Sequence, residues 1–356
     1  MTNKKKTDKQ NKPSDQAISC AQASAHSKPS VTTQLGQDSG LPDDALTYST
    51  KTLTVAALQL GSESQGTLAT LEKILSYKDQ LRDAGCKLVV MPEALLGGYP
   101  KGQDFGARVG YRTQKGRDDY LEYWQQAITT DGPEVKALCS MAKETDCNLV
   151  AGIIERAGTS LYCSTLYISD LGELIGKHRK LMPTASERLV WAQGDGSTLP
   201  VLQTSAGKIS GAICWENYMP ALRQSLYGQG VEVWCVSTVD DREIWQASMR
   251  HIAYEGRMFL VSACQYQPSP EDQGISTEWP DQQTLIRGGS VIVSPMGDIL
   301  AGPLYGQEGL ISAQIDLNEI VKARYDLDVS GHYARNDIFQ LTVDTREKTG
   351  VCFKRD

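Results

Sequence analysis

Short apolar runs alternate with amphipathic segments from about residue 53 onward. Leu53 to Leu60 is apolar and ends at Gly61, which predicts a buried strand. Between Gly66 and Ala84, leucine and isoleucine recur at helical spacing, which predicts one helix. By the same criteria, further helices are predicted at Asp118 to Ile128, Glu134 to Glu144, Pro220 to Tyr227 and Trp245 to Tyr254, and further strands at Lys87 to Met91, Asn148 to Ile154, Leu161 to Ser169, Ile209 to Ile213, Val231 to Val236, Phe259 to Cys264, Ser290 to Val293 and Leu310 to Ile315.

Strands interleaved with helices are typical of a mixed α/β sheet protein with helices covering the sheet faces. The sequence around Met296 and Gly297 also predicts a hairpin. Residues 1 to 50 are polar and nearly free of aromatic and branched apolar side chains, so a disordered extension is expected there. We predict a single domain over residues 51 to 328, followed by a C-terminal arm over residues 329 to 356.

Charge and cysteine usage narrow the class of protein. The net charge is −7 without a dominant basic stripe, which argues against nucleic acid as a partner. The lysines at the start precede no apolar signal segment, and no apolar run approaches the roughly 18 residues that cross a bilayer, so no membrane partner is expected. Nine cysteines without a C-x-x-C pair favour a reducing cytoplasm.

The sequence does not support metal or cofactor chemistry. The four histidines, His26, His178, His251 and His332, are far apart and form no metal-binding pair. Glycine-rich phosphate motifs and the serine nucleophile motif G-x-S-x-G are absent from the sequence. We therefore expect no metal and no cofactor.

Three separate apolar segments end in a chemically reactive side chain. Cys214 follows Gly211-Ala-Ile, Glu93 follows Val89-Val-Met-Pro, and Lys180 follows Gly176-Lys-His-Arg. Strand ends are where ligands bind in α/β folds, although any one of these residues alone is more often an inert thiol or a surface charge. Together they supply a nucleophile, a base and a cation.

The three side chains fit nucleophilic catalysis. A thiolate is the attacking form of cysteine, and an isolated thiol has a pKa of about 8.5, so Cys214 needs a neighbouring base. Glu93 fits that role if burial raises its pKa from about 4.3 toward neutrality. Lys180, with the backbone N–H of Trp215, is placed to stabilise the negative charge that develops on the substrate.

These segments, in this order, resemble the nitrilase branch of the carbon-nitrogen hydrolase superfamily from about Leu53 to the C-terminus. The central match is the set Pro92-Glu93, His178-Arg-Lys180 and Cys214-Trp-Glu-Asn217. Further similarity lies in Gly97-Gly-Tyr-Pro100, Pro183-Thr184, Glu187-Arg188, Gln193-Gly-Asp-Gly196, Trp245-Gln-Ala-Ser-Met-Arg-His-Ile-Ala253, Glu255-Gly256 and Gly331-His-Tyr-Ala-Arg335.

The resemblance implies a four-layer α-β-β-α sandwich and hydrolysis of a nitrile to carboxylate and ammonia through thioimidate and acyl-thioester intermediates. Glu187 matches the second glutamate of the family, which implies a catalytic residue that holds Lys180 charged and aligned and assists proton transfer. The expected partners are a small nitrile, water and further copies of the chain, in a homodimer or a longer homo-oligomeric spiral.

Four other residues are candidates for the surroundings of the site. Tyr99, Trp215 and Tyr218 are expected to line the substrate pocket, although aromatics beside strand ends are packed core about as often. His251 is interpreted as a packing residue or a support for the site rather than a direct participant, since its helix places it toward the core.

The sequence departs from the family pattern at two positions and leaves alternatives open. Val236-Ser-Thr238 stands where nitrilases often carry Ala-Pro-Thr, and Asn336 stands where proline is common. An amidase, or a hydratase that releases amide, is the alternative within the superfamily. A catalytically silent assembly or binding protein is the alternative from another class.

Overall fold

The computed structural model describes residues 52–277 and 279–348. The strands are β1 Thr52–Gln59, β2 Cys86–Val90, β3 Ala107–Arg108, β4 Tyr111–Arg112, β5 Asn148–Ala157, β6 Ser160–Ile168, β7 Leu174–Arg179, β8 Leu202–Thr204, β9 Gly207–Ile213, β10 Val233–Thr238, β11 Phe259–Cys264, β12 Tyr266–Gln267, β13 Ile286–Val293, β14 Ile299–Tyr305 and β15 Gly309–Asp316. The α-helices are α1 Thr67–Leu75, α2 Lys78–Asp83, α3 Gln114–Gln126, α4 Pro133–Thr145, α5 Pro220–Tyr227, α6 Glu243–Gly256, α7 Pro270–Gln273 and α8 Asn318–Ala323. Short 3₁₀ helices span Ala185–Leu189, Gly196–Thr198 and Cys214–Tyr218.

Two mixed sheets organise these elements. The first has the strand order β15-β1-β2-β5-β6-β7, and the second has the order β12-β13-β11-β10-β9-β8 with β14 paired to β13. β3 and β4 form a separate two-stranded antiparallel sheet. The hairpin expected around Met296 and Gly297 is formed by β13 and β14, and Gly297 has a φ of 82°, which a side-chain-free residue adopts without strain.

Alternation of side chains along the strands separates the layers. Ala56 and Leu58 face the cluster that includes apolar side chains of α1, α2 and α4, whereas Val55 and Ala57 face the second sheet. On the second sheet, Trp234 packs with α5 and α6. Burial on both faces explains why the strands are nearly continuous apolar runs. The layers are therefore helices, sheet, sheet, helices, which confirms the predicted α-β-β-α sandwich.

The carboxyl ends of several strands meet at one edge of this sandwich. β1, β2 and β5 are parallel, and β7 runs in the same direction because β6 is antiparallel to both of its neighbours. In the second sheet, β9, β10 and β11 are parallel. Glu93 and Lys180 therefore leave the first sheet, and Cys214 leaves the second sheet, at the ends where α/β proteins place ligands.

Most predicted elements are present, with one clear correction. The single helix expected from Gly66 to Ala84 is two helices, α1 and α2. The hydroxyl of Ser76 donates to the carbonyl of Lys73 at 2.7 Å and competes with the helical backbone there. Among residues 52–277 and 279–348, no helix has the length and apolar character to cross a bilayer.

The predicted domain boundaries stay predictions. The expected extension, residues 1 to 50, lies outside the described residues. Of the expected C-terminal arm, residues 329–348 are described and form turns and irregular backbone rather than helix or strand, and residues 349–356 lie outside the described residues.

Candidate active site

Glu93 lies three residues after the end of β2 at Val90 and is fully buried. Its Oε1 accepts a hydrogen bond from Lys180 Nζ at 2.7 Å, and the Cys163 thiol donates weakly to the same atom at 3.5 Å. Its Oε2 is buried without a hydrogen-bond partner of normal geometry among the described residues. Desolvation raises the pKa of Glu93 although Lys180 opposes that shift, so the burial expected from the mechanism is confirmed.

Lys180 directly follows β7 and is also fully buried. Its ammonium bridges two carboxylates, with Nζ 2.7 Å from Glu93 Oε1 and 2.7 Å from Glu187 Oε2. Burial disfavours the charged amine, but the neighbouring carboxylates outweigh that effect and hold the pKa of Lys180 above its ordinary value. Lys180 is therefore a fixed ammonium group.

Glu187 is held in place by two donors besides Lys180. It lies in the 3₁₀ helix Ala185–Leu189, where the backbone N–H of Thr184 donates to Oε2 at 2.6 Å. The hydroxyl of Tyr99 donates to Oε1 at 2.8 Å. The Tyr99 ring packs edge-on against Trp191, with ring centroids 5.8 Å apart. Glu187 thus fixes the position of the ammonium, and Tyr99 fixes Glu187.

Cys214 begins the 3₁₀ helix that follows β9 and is 3% exposed. Its φ is 48°, a left-handed conformation that costs a non-glycine residue about 1–2 kcal/mol and that turns the thiol out of the strand. The thiol is close enough to Glu93 to favour the ionised carboxylate. Burial, and then the charge of Glu93, raise the pKa of Cys214, so the resting sulfur is a thiol beside a base.

The strained turn at Cys214 is held by Asn217. The Asn217 side-chain amide donates to the carbonyls of Ala212 at 3.0 Å and Cys214 at 2.8 Å. Its Oδ1 accepts from Trp234 Nε1 at 2.8 Å, and its backbone carbonyl accepts from Arg223 at 2.6 Å. All four hydrogen bonds fix the backbone that carries the thiol.

Glu216 joins the Lys180 segment to the Cys214 segment. Its Oε1 accepts the backbone N–H of Leu181 at 2.7 Å, and its Oε2 accepts the backbone N–H of Ile213 at 2.8 Å. The His178 Nε2 lies 2.9 Å from Oε2, and both side chains are buried. The pKa of His178 is raised and that of Glu216 is lowered by this pairing, against the effect of burial.

Two of the aromatic residues expected to line the pocket are partly exposed at the edge of the site. Trp215 is 42% exposed and donates from Nε1 to Asp240 at 2.9 Å. Tyr218 is 40% exposed and packs edge-on against Trp215 at 6.1 Å. Of the three predicted residues, Tyr99 contacts the charged cluster directly, and substrate binding by all three stays a prediction.

The expectation that His251 faces the core is wrong. Its side chain is 65% exposed on α6, and its nearest carboxylate is Glu255 at 3.8 Å. The buried face of α6 is formed by Trp245, Met249, Ile252, Ala253 and Gly256. Residue 251 is two positions from both Met249 and Ala253, which places it about 160° away from each around the helix. Counting the helical phase excludes His251 from the core.

Several residues that contact the site carried no sequence signal that identified them. Glu216 and Asn217 belong to the motif after Cys214, but their backbone partners become visible only in the fold. Thr238 ends β10, and its hydroxyl hydrogen-bonds Cys214, which opposes but does not cancel the rise in the Cys214 pKa caused by burial. Gln265 donates to the Glu93 carbonyl at 2.7 Å.

Among the described residues, no group of three or more His, Cys, Asp or Glu side chains is arranged to hold a metal ion.

The sequence is similar to known proteins over most of its length. The family model described as "Carbon-nitrogen hydrolase" matches residues 54–325. "Nitrilase blr3397" of Bradyrhizobium diazoefficiens is 46% identical over 303 residues, which cover 84% of this chain and 94% of that protein. "Nitrilase 2" of Arabidopsis thaliana is 45% identical over 305 residues, covering 83% and 90%. "Bifunctional nitrilase/nitrile hydratase NIT4B" of Nicotiana tabacum is 46% identical over 312 residues, covering 86% and 90%.

Solved structures share the fold at lower identity. Saccharomyces cerevisiae Nit3, a member of branch 10 of the nitrilase superfamily, has a TM-score of 0.64 at 21% identity, covering 79% of this chain and 96% of that one. The Caenorhabditis elegans NitFhit protein has a TM-score of 0.67 at 17% identity, covering 85% and 69%. The family model matches most of the chain, and the nitrilase relatives are 45–46% identical to it over more than four-fifths of its length. The chain therefore belongs to the carbon-nitrogen hydrolase family, in its nitrilase branch.

Proposed function

We propose that this hydrolase is a nitrilase, which converts an organic nitrile and two water molecules into a carboxylate and ammonia with Cys214 as the nucleophile. The observation that carries the proposal is the buried cluster of Glu93, Lys180 and Glu187 against the Cys214 thiol. A thiol, a carboxylate of raised pKa and a fixed ammonium are the groups that covalent C–N hydrolysis needs.

The first half of the reaction forms a thioimidate. The Cys214 sulfur attacks the nitrile carbon while Glu93 accepts the thiol proton, because the raised pKa of Cys214 makes a free thiolate unfavourable before substrate binds. One C–N π bond breaks, and Glu93 passes the proton to the nitrogen. Lys180 and the Trp215 backbone N–H stabilise the charge that develops there.

The second half releases the products. Glu93 removes a proton from water, which adds to the thioimidate carbon and gives a tetrahedral adduct. Glu93 returns this proton to the nitrogen. The hydroxyl proton of the adduct then also moves to the nitrogen as the C=O bond forms and the C–N bond breaks, so ammonia leaves and an acyl thioester remains on Cys214. A second water, again deprotonated by Glu93, cleaves the carbon-sulfur bond, so that the carboxylate leaves and the thiol is restored.

Turnover of aliphatic, aromatic and arylaliphatic nitriles, with ammonia, acid and amide each quantified, tests the proposal. We expect acid and ammonia in equal amounts, and Cys214→Ala is expected to lower kcat by at least about 1,000-fold. Cys147→Ala is the matched control, because Cys147 is a buried thiol in the cluster between the first sheet and its helices. Full turnover by Cys214→Ala would refute the nucleophile.

Nitrile hydration is the second candidate, because two relatives of 46% identity are named bifunctional nitrilase/nitrile hydratase. Breakdown of the tetrahedral adduct by loss of sulfur rather than nitrogen releases amide. Amide as the sole product of nitriles would establish the hydratase, and turnover of amides without nitriles would establish an amidase. A silent binding protein is expected to show no turnover and no preferential alkylation of Cys214 by iodoacetamide.

The remaining predictions concern partners and location. We infer a small nitrile as the substrate, and we keep the homodimer or longer spiral and the cytoplasmic location as predictions. Size-exclusion chromatography with light scattering tests the assembly, and a monomer at all concentrations would contradict it.

A further inference from the structure

We propose that the buried His178–Glu216 pair is the positioning device that sets the distance between the ammonium of Lys180 and the sulfur of Cys214. The proposal rests on the nitrilase function proposed above, because it assigns these two side chains a role in that reaction. Glu216 acts through the backbone of the two catalytic segments, and His178 acts through Glu216.

Each carboxylate oxygen of Glu216 binds the backbone of a different catalytic segment. Oε1 accepts the N–H of Leu181, the residue after Lys180, at 2.7 Å, and Oε2 accepts the N–H of Ile213, the residue before Cys214, at 2.8 Å. Lys180 leaves the first sheet and Cys214 leaves the second. A single carboxylate therefore links the two sheets at the point where their catalytic residues meet.

His178 fixes the charge and the orientation of this carboxylate. Its Nε2 faces Glu216, and its Nδ1 faces the carbonyl of Thr198 within hydrogen-bonding distance. Both neighbours are acceptors, so both ring nitrogens must donate, and the ring is an imidazolium. Glu216 then carries the compensating charge and accepts three hydrogen bonds. Thr165, opposite His178 on β6, is uncharged.

Glutamine at position 216 cannot reproduce the arrangement. Its amide has one oxygen and one NH₂ group, whereas both positions of the carboxylate face a backbone N–H. Whichever way the amide turns, its NH₂ opposes either Leu181 or Ile213, and one catalytic segment is released. A displacement of about 1 Å at a reacting group lowers turnover by about 100-fold.

The test compares Glu216→Gln, His178→Gln and the control Glu155→Gln. Glu155 is a buried carboxylate bound by Lys177 and Arg179, the two neighbours of His178 on β7. We expect Glu216→Gln to lower kcat by about 100-fold with KM little changed, and His178→Gln to lower kcat by about 10-fold because the carboxylate still reaches both backbone groups. Glu155→Gln is expected to lower thermal stability and to retain kcat.

A second readout needs no substrate. Alkylation of Cys214 by iodoacetamide, followed by mass spectrometry on folded protein, is expected to change in rate for Glu216→Gln and not for Glu155→Gln. If Glu216→Gln does not fold, the kcat of His178→Gln decides whether the pair has a positioning role. Wild-type kcat in either His178→Gln or folded Glu216→Gln would overturn the positioning role, as would an equal loss of kcat in Glu155→Gln. Absence of nitrile turnover in the wild type, with altered alkylation in Glu216→Gln, would refute the nitrilase function instead.

Discussion

Lys180 shows how one side chain determines both the stability and the chemistry of the site. Its ammonium is the shared partner of two carboxylates in a site closed to solvent. We predict that Lys180→Met costs about 3–5 kcal/mol in the free energy of unfolding, because it leaves Glu93 as a buried, uncompensated charge. Turnover is also expected to be lost, because the ammonium that stabilises the charge developing on the substrate is absent. Urea unfolding at several pH values measures the first effect.

The pH dependence of the stability lost in Lys180→Met follows from the pKa of Glu93. Desolvation already raises this pKa, and Lys180 is the strongest influence that lowers it, so the variant raises it further. A carboxyl whose folded pKa exceeds its unfolded value destabilises progressively as the pH rises through the folded pKa. The deficit of Lys180→Met is therefore expected to be larger at about pH 8 than at about pH 5.

Lys73→Met is the matched control for this prediction. Lys73 also bridges two carboxylates, Glu63 at 2.6 Å and Glu308 at 2.5 Å, but those side chains are 34% and 30% exposed. Solvent screens such a cluster, so the expected loss is at most about 1 kcal/mol. If Lys180→Met loses no more stability than Lys73→Met, and loses it equally at all pH values, Glu93 does not depend on Lys180 for the compensation of its buried charge.

At the level of elements, the sequence predicted that the catalytic residues lie at strand ends, but it did not predict the hydrogen bonds that hold those ends in place. Cys214, Glu93 and Lys180 each follow an apolar run, and parallel strands end at a common edge, so the sequence indicated their convergence. Helix α5 was predicted with both ends correct because Pro220 starts a helix readily. The partners of Glu216 lie 35 and 3 residues away, and the longer pairing depends on the packing of two sheets.

Close contact between β5 and the segment after β2 determines where Glu93 lies. A Cβ atom at Gly152 would lie 2.0 Å from the Pro92 carbonyl oxygen and 2.8 Å from the Glu93 Cα. Backbone atoms cannot rotate away, so Gly152→Ala is predicted to cost about 1–3 kcal/mol. We also expect kcat to fall by about 10- to 100-fold as Glu93 moves. Chemical unfolding and steady-state kinetics measure the two effects.

Gly228→Ala provides the comparison for Gly152→Ala. Gly228 ends α5, and a Cβ there would meet its nearest atom, the Gln224 carbonyl oxygen, at an ordinary 3.5 Å. The free energy of unfolding of Gly228→Ala is expected to stay within about 0.5 kcal/mol of the wild-type value. Unchanged kcat in Gly152→Ala would show that the β2 end tolerates displacement.

At the level of the whole molecule, the site is assembled across the seam between the sheets. Glu93, Lys180 and Glu187 belong to the first sheet and its loops, whereas Cys214 and Thr238 belong to the second. Catalysis therefore depends on how the two sheets are joined near this edge. Gln265 and Ser237, both from the second sheet side, donate to backbone carbonyls of the Met91–Glu93 segment.

The Ser237 hydroxyl tests this dependence, because nitrilases often have proline at this position and proline lacks a hydroxyl. Its Oγ donates to the Met91 carbonyl at 2.8 Å, whereas the hydroxyl of the control residue Ser210 donates to Pro200 at 2.6 Å. Both serines are buried, so each alanine variant is expected to lose about 1–3 kcal/mol. Only Ser237→Ala releases the strand that leads to Glu93, and we predict a lower kcat for it alone. Equal kcat in the two variants, measured where both are folded, would mean that apolar packing of the seam is sufficient to align the site.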